Sequence, residues 1–241
     1  MMEAVTLEKL RTMRLPAMAE RLSELDADPK NLDMPWRDVV AMLVDAEHET
    51  RSTKRLQSLL RSARLKHTKA CLEDIDYRPE RGLKKDTVRE LSTCRYIRDA
   101  GNVLISGPTG TGKSWLACAL ASHACRNGYR TGYWRMSIFL DWLANEKNLG
   151  AYPKTIEKLR KLKLLVLDDL GADILGKVHR SILFDVVEER SLVGSIVITS
   201  QVPVEQWSDI IGESGAAEAI CDRLLEKCYK IPLKGSSMRR K

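Results

Sequence analysis

Over residues 6–72 apolar side chains return every three or four positions. Leu7, Leu10, Leu15, Met18 and Leu22 make one stripe, and Val39, Val40, Leu43, Val44 and Ala46 make another. This is the spacing of helices that bury one face. Asp28-Pro29 and Met34-Pro35 interrupt it, and Pro35 beside Trp36 marks a second helix start. Leu56, Leu59, Leu60 and Ala63 carry that helix on, so residues 1–72 are expected to form a small all-helical N-terminal domain. Turn chemistry at Asp76-Tyr77-Arg78-Pro79 and Arg81-Gly82, then helical spacing from Lys85 to Ile97, predicts a linker with a short helix over 73–100.

After Gly101 the pattern changes to short apolar runs alternating with amphipathic stretches. Strands are expected at 102–106, 129–134, 164–168, 195–200 and 228–233, and helices at 113–125, 137–145, 155–161, 178–191 and 216–226. Strand runs that are apolar throughout, separated by helices, predict an α/β domain over 101–241 whose parallel sheet is covered on both faces.

Composition adds three constraints. With 44% hydrophobic and 30% charged residues the chain reads as globular, and no apolar run approaches the ~20 residues of a membrane span. The stretch from Met1 to Arg14 is polar and lacks a signal-peptide core, so a cytoplasmic location is expected. The cysteines (Cys71, Cys94, Cys118, Cys125, Cys221 and Cys228) form no C-x-x-C pair, which gives metal binding by thiolates little support. The net charge of +7 is concentrated: Arg51, Lys54, Arg55, Arg61, Arg64, Lys66 and Lys69 occur without an intervening acid. Such a run suits phosphate contacts along nucleic acid, although a charge run alone favours a solvated helix face. Lys84, Lys85, Arg95 and Arg98 are weaker candidates of the same kind.

The chemistry is concentrated in the second domain. Gly107-Pro108-Thr109-Gly110-Thr111-Gly112-Lys113-Ser114 follows a predicted strand and runs into a predicted helix whose Ala/Leu-rich run begins at Trp115. Its glycines let backbone N–H groups converge on phosphates at a helix N-terminus, with Lys113 reaching the β- and γ-phosphates and Ser114 a magnesium ion. A nucleoside triphosphate, ATP with Mg2+, is the expected ligand. The strand at 164–168 runs into Asp168-Asp169, placed for a magnesium ligand at Asp168 and a water-orienting carboxylate at Asp169. Another strand ends in Ile198-Thr199-Ser200-Gln201, whose terminal amide suits a γ-phosphate sensor. Arg223, in Asp222-Arg223-Leu224, suits an arginine presented to a neighbouring subunit. The phosphate loop alone also fits a small-molecule phosphotransferase acting as a lone subunit.

Taken together, Gly107 to Ser114, Asp168-Asp169, Ile198-Thr199-Ser200-Gln201, Val204-Glu205-Gln206-Trp207, Asp222-Arg223-Leu224 and the Gly-x-Ser-x-Arg ending at Arg239 resemble the IstB helper ATPases of insertion-sequence transposition. These are relatives of the DnaC helicase loaders within the AAA+ class. The N-terminal region is similar too, at Leu15-Pro16-Ala17-Met18-Ala19, Asp45-Ala46-Glu47-His48-Glu49, Arg51 and Leu72-Glu73-Asp74-Ile75-Asp76-Tyr77. The resemblance implies an AAA+ core without a helical lid, homo-oligomeric assembly around duplex target DNA, and cooperation with a transposase. A helicase-loading role is the related alternative. It puts Gln201 at the sensor position usually held by Asn, Asp169 where Glu is usual, and Arg223 at the arginine finger. The one-methylene changes at Asp169 and Gln201 imply slow, DNA-stimulated hydrolysis.

Overall fold

A computed structural model describes residues 2–31, 33–172, 174–212 and 215–238. Arg239 of the Gly-x-Ser-x-Arg motif lies outside them. The chain divides into two compact units, Met1–Ser58 and Leu59–Lys241.

In the first unit α1 (Met2–Thr12) packs on α2 (Pro16–Ala27), and α3 (Trp36–Ala63) begins after Pro35. Pro16 occupies the first turn of α2, where a missing N–H costs nothing. The buried Glu47 of α3 caps that turn, accepting the N–H groups of Ala17 (2.9 Å) and Met18 (3.3 Å). Arg51 donates from Nε to Glu47 (2.7 Å) and from a terminal nitrogen to the Arg14 carbonyl (2.6 Å). Hydrogen bonding from Arg51 holds the Glu47 carboxyl below its ordinary pKa. The acidic motif around Glu47 and the Leu15-Pro16 turn are therefore two halves of one helix-capping device.

The second unit contains α4 (Lys85–Ser92) and α5 (Arg95–Arg98), then a five-stranded parallel sheet. Its strands are β1 (Asn102–Ser106), β2 (Thr131–Arg135), β3 (Leu164–Leu170), β4 (Ser195–Ser200) and β5 (Cys228–Pro232), in the order β2-β3-β4-β1-β5. Each expected strand is present, with β2 two residues later at its start. The helices are α6 (Lys113–Arg126), α7 (Met136–Asn148), α8 (Tyr152–Arg160), α9 (Lys177–Arg190), α10 (Trp207–Ile211) and α11 (Gly215–Glu226).

Alternate strand residues Leu104, Leu165, Leu167, Ile196 and Ile198 join one core with Phe139, Leu140 and Leu143 of α7, Leu183 of α9 and Leu224 of α11. Their neighbours point to the opposite face by the strand's two-residue period. Helix α6 packs along β1, β2, β3 and β4. Burial on both faces explains why β1 and β4 are buried at every position. No helical domain follows β5 among the described residues.

The segment 73–100, expected as a linker, packs as part of this unit. Leu83, Val88, Leu91, Cys94, Tyr96 and Ile97 are all buried. Polar ties reinforce the packing: Tyr229 donates to Glu90 (2.6 Å), Ser195 to the Tyr96 carbonyl (2.9 Å), and the His123 ring lies 2.7 Å from the Ser92 carbonyl. Its apolar spacing is that of a core element, masked in the sequence by turn residues at 76–82.

Candidate nucleotide site

Strand β1 lies between β4 and β5, and its C-terminal end delivers Ser106 to the glycine loop. The Gly107 N–H donates to the Ser200 carbonyl at the end of β4 (3.2 Å). Gly110 has φ +86°, the left-handed region that a side chain resists, and a Cβ there would collide with the Ser237 side chain. Gly107, at φ +145°, faces the Leu233 carbonyl, which a Cβ would also strike. Thr111 ties the loop internally, donating to the Pro108 carbonyl (2.8 Å). Gly112 starts α6 without a side-chain cap, leaving the positive end of a 14-residue helix to the loop.

The loop lines a cavity of about 540 Å3, within the range of small-molecule sites. Thr109, Gly110, Gly112, Lys113, Ser114 and Trp115 reach it from the loop and α6, and Asp168, Asp169, Thr199 and Gln201 from the ends of β3 and β4. Lys113 is buried and donates to the Gly107 (2.6 Å) and Pro108 (2.9 Å) carbonyls, which holds its ammonium over the loop.

The pairing of β3 with β4 shifts register between Leu167 and Leu170, and the two carboxylates sit in that irregularity. Asp169 adopts φ 71°, and strained backbone of this kind persists only where its surroundings hold it. Thr199 is that support. Its hydroxyl accepts the Asp169 N–H (2.9 Å) and donates to Asp168 Oδ1 (2.6 Å). Tyr133 donates to Asp168 Oδ2 (2.6 Å), and the Lys66 ammonium lies 3.5 Å from the same oxygen. Burial alone would raise the pKa of Asp168. Hydrogen bonds from Thr199, Tyr133 and Ser114, with the Lys66 charge, outweigh it and hold the carboxyl below its ordinary value. Burial and the Asp168 hydrogen bond push the Tyr133 hydroxyl far up, so it stays a donor.

Asp169 is more loosely held. Arg135 and Gln201 each donate to it at 3.4 Å, and Gln201 also accepts from Thr109 (2.7 Å). The expected sensor amide therefore bridges the glycine loop and the second carboxylate.

The donor set suits a magnesium-bound triphosphate: one buried carboxylate hydrogen-bonded to a hydroxyl, beside an uncapped helix N-terminus and a lysine. Among the described residues no group of three His, Cys, Asp or Glu could cage a metal. Magnesium shared between one or two carboxylates and substrate phosphates needs no such cage.

Lys66, His67, Asp74, Asp76, Arg81 and Met238 complete the walls, and no local sequence signal marks them as cavity residues. Arg81, buried, donates to the Thr111 carbonyl (2.9 Å) and the Asp76 carbonyl (2.7 Å), bracing the loop from below. Met238 donates its N–H to the Gly110 carbonyl (2.9 Å). Lys66, expected among the DNA contacts, lines the cavity. Of the other candidate DNA contacts, Arg51 is engaged with Glu47, while Lys54, Arg55, Arg61, Arg64 and Lys69 are exposed. Tyr96 and Ile97 are buried core residues, Tyr96 edge-on to Tyr229 at 6.5 Å, and neither lines the cavity.

Arg223 is not brought to the phosphate loop of its own chain. It pairs with Glu188 through Nε, lies 5.2 Å from the centre of the Phe184 ring, and donates to the Ala219 carbonyl (3.3 Å).

Sheet order, loop and carboxylate pair define a phosphate-loop ATP-binding protein of the AAA+ class. Residues 8–241 match the family model for IstB-like ATP binding proteins, and the chain belongs to that family. An insertion sequence ATP-binding protein of Sinorhizobium fredii is 39% identical over 98% of this chain and 96% of its own length. The ATP-binding protein of insertion sequence IS1162 from Pseudomonas fluorescens is 37% identical, over 84% and 88%. Among solved structures, the DnaC helicase loader superposes with a TM-score of 0.55 at 20% identity, covering 68% of this chain and 97% of that one, which shows a common fold.

Proposed function

We propose that this protein is an ATP-dependent DNA-binding helper of insertion-sequence transposition. It assembles with copies of itself on duplex target DNA, cooperates with a transposase there, and hydrolyses ATP slowly, with DNA stimulation, for turnover. The observation that carries the reading is the meeting of Lys113, Ser114, Asp168, Asp169 and Gln201 around one cavity in a chain of this family. Its curated relatives are described as ATP-binding proteins of insertion sequences.

Bound magnesium would neutralise phosphate charge as the leaving oxygen develops. The residues divide the remaining work. The glycine loop, Lys113 and the α6 N-terminus bind the phosphates, Ser114 and Asp168 hold the metal, and Asp169 with Gln201 orients water. Asp169 spends its carboxylate on Arg135 and Gln201, which supports slow turnover until those contacts are rearranged. Arg223, remote from its own loop, is available to complete the site of an adjacent subunit. The exposed residues Lys54, Arg55, Arg61, Arg64 and Lys69 supply phosphate contacts without reading bases. No helix among the described residues is long and apolar enough to cross a membrane, and the proposed work is that of the cytoplasm.

Light scattering with and without ATP and duplex DNA, run beside steady-state ATPase assays, tests the reading. ATP-dependent assembly on DNA and a slow turnover raised by DNA are expected. Fast hydrolysis without DNA, none with it, or a monomer under all conditions would sink it. Pull-down against a transposase and a replicative helicase separates this role from helicase loading.

A further inference from the structure

Residues 64–70 carry a lysine whose sequence neighbourhood reads as nucleic-acid contact but whose position does not. Three observations fix that position. The segment is anchored by its apolar residues Leu65 and Ala70 and by Ala63 at the end of α3, all of them buried. The backbone N–H groups of His67 and Lys66 hydrogen-bond the Cys118 thiol on α6, the helix that begins at the phosphate loop. The side chains of Lys66 and His67 then line the nucleotide cavity, with the Lys66 ammonium 3.5 Å from Asp168 Oδ2.

Asp168 is buried, and Lys66 is the cation that the structure places against it. Tyr133, Thr199 and Ser114 bring hydrogen bonds but no charge. The ammonium reaches its position on a half-exposed side chain, at a distance longer than a good charge-assisted hydrogen bond. It is close enough to neutralise the carboxylate, and free to swing into solvent on its four-carbon stem. A divalent metal on Asp168 would meet this ammonium as a like charge at short range.

We propose that Lys66 is a tethered counter-cation for Asp168, standing at the carboxylate until metal-bound nucleotide arrives and displacing outward when it does. The proposal rests on the magnesium–nucleotide reading of the cavity. Lys66 then sets the metal concentration at which the site fills, and on release it joins the exposed Arg64 and Lys69 of its own segment.

The test is a magnesium titration of the full chain with a fluorescent ATP analogue, comparing wild type with Lys66→Met and Lys66→Arg. With the competing charge removed, Lys66→Met is expected to lower the half-saturating magnesium concentration about five-fold, the scale of a partly exposed ion pair. Lys66→Arg, which keeps the charge, is expected to stay near wild type. A midpoint that is unmoved in Lys66→Met, or raised, overturns the proposal; a raised midpoint would make Lys66 a phosphate ligand instead. If wild type itself binds the analogue with no magnesium dependence, the metal reading of Asp168 fails together with the proposal. Magnesium dependence in wild type with an unmoved variant sinks the role of Lys66 alone.

Discussion

Thr199→Val isolates the support beneath the two carboxylates. Valine keeps the shape of the buried threonine but removes the hydroxyl that donates to Asp168 (2.6 Å) and accepts from the Asp169 backbone (2.9 Å). A hydrogen bond to a charged acceptor is worth roughly 1.5–3 kcal/mol and a neutral one about 0.5–1.5 kcal/mol, so a loss of about 2–4 kcal/mol of stability is expected. Thr199→Ser, which keeps the hydroxyl and loses one methyl, should cost only about 1 kcal/mol. Urea unfolding followed by tryptophan fluorescence measures both. The pH dependence carries a second signature. The folded-state pKa of Asp168 lies below its ordinary value despite burial, with Thr199 the foremost hydrogen-bond donor responsible. Its contribution is therefore present above the unfolded carboxyl pKa of about 3.9 and fades as pH falls through the depressed folded value. The gap between wild type and Thr199→Val should accordingly narrow on acidification below about pH 4. A valine variant no less stable than the serine one, or a gap that stays constant with pH, would refute the reasoning.

Lys113→Ala should weaken ATP binding by about a hundred-fold, the loss of one or two charge-assisted phosphate contacts, read by isothermal titration calorimetry with circular dichroism as the fold control. Gly110→Ala places a Cβ against Ser237 at φ +86°; a destabilisation of about 1–3 kcal/mol is expected in thermal melts, together with weakened nucleotide binding. Arg223→Ala removes a partly exposed pair with Glu188 and should change monomer stability by no more than about 1 kcal/mol. The same variant should abolish DNA-stimulated turnover, and mixing it with a Lys113→Ala chain should restore part of that turnover if the arginine acts between subunits. Neutralising Arg61 and Arg64 should reduce the salt slope of DNA binding by up to about one unit per lost phosphate contact.

The parts of the fold that were legible in the sequence are those with a local signature. β1, β3 and β4 announce themselves as short apolar runs, and the glycine loop by spacing alone. The roles of Thr199, Tyr133, Arg81 and Met238 in the site had no such signal, because they depend on which strands and segments become neighbours. Tyr133 reaches Asp168 only because β2 pairs with β3, aligning Arg135 with Asp168. Lys66 shows the converse: a charge run invites one explanation for all its members, yet a turn after α3 sends this one into the cavity. Likewise, the acidic motif at Glu47 has helix-like spacing but gives no hint that its partners are the N–H groups of another helix.

The foundation of the phosphate loop has a consequence for how the protein is made. β1 pairs with β4 and β5, both of which follow it in the chain: Val103 lies beside Val197 on one side and Tyr229 on the other. The loop itself is then braced by Leu233 and Met238. During synthesis the nucleotide-binding sequence thus leaves the ribosome long before any strand that can hold it. Until β4 emerges β1 has no partner strand, and until β5 emerges one of its edges stays unpaired, so the fully braced loop arises late. A ribosome stalled before residue 228 would display a nascent chain with the whole ATP-binding motif but without the strand and the tail that brace it.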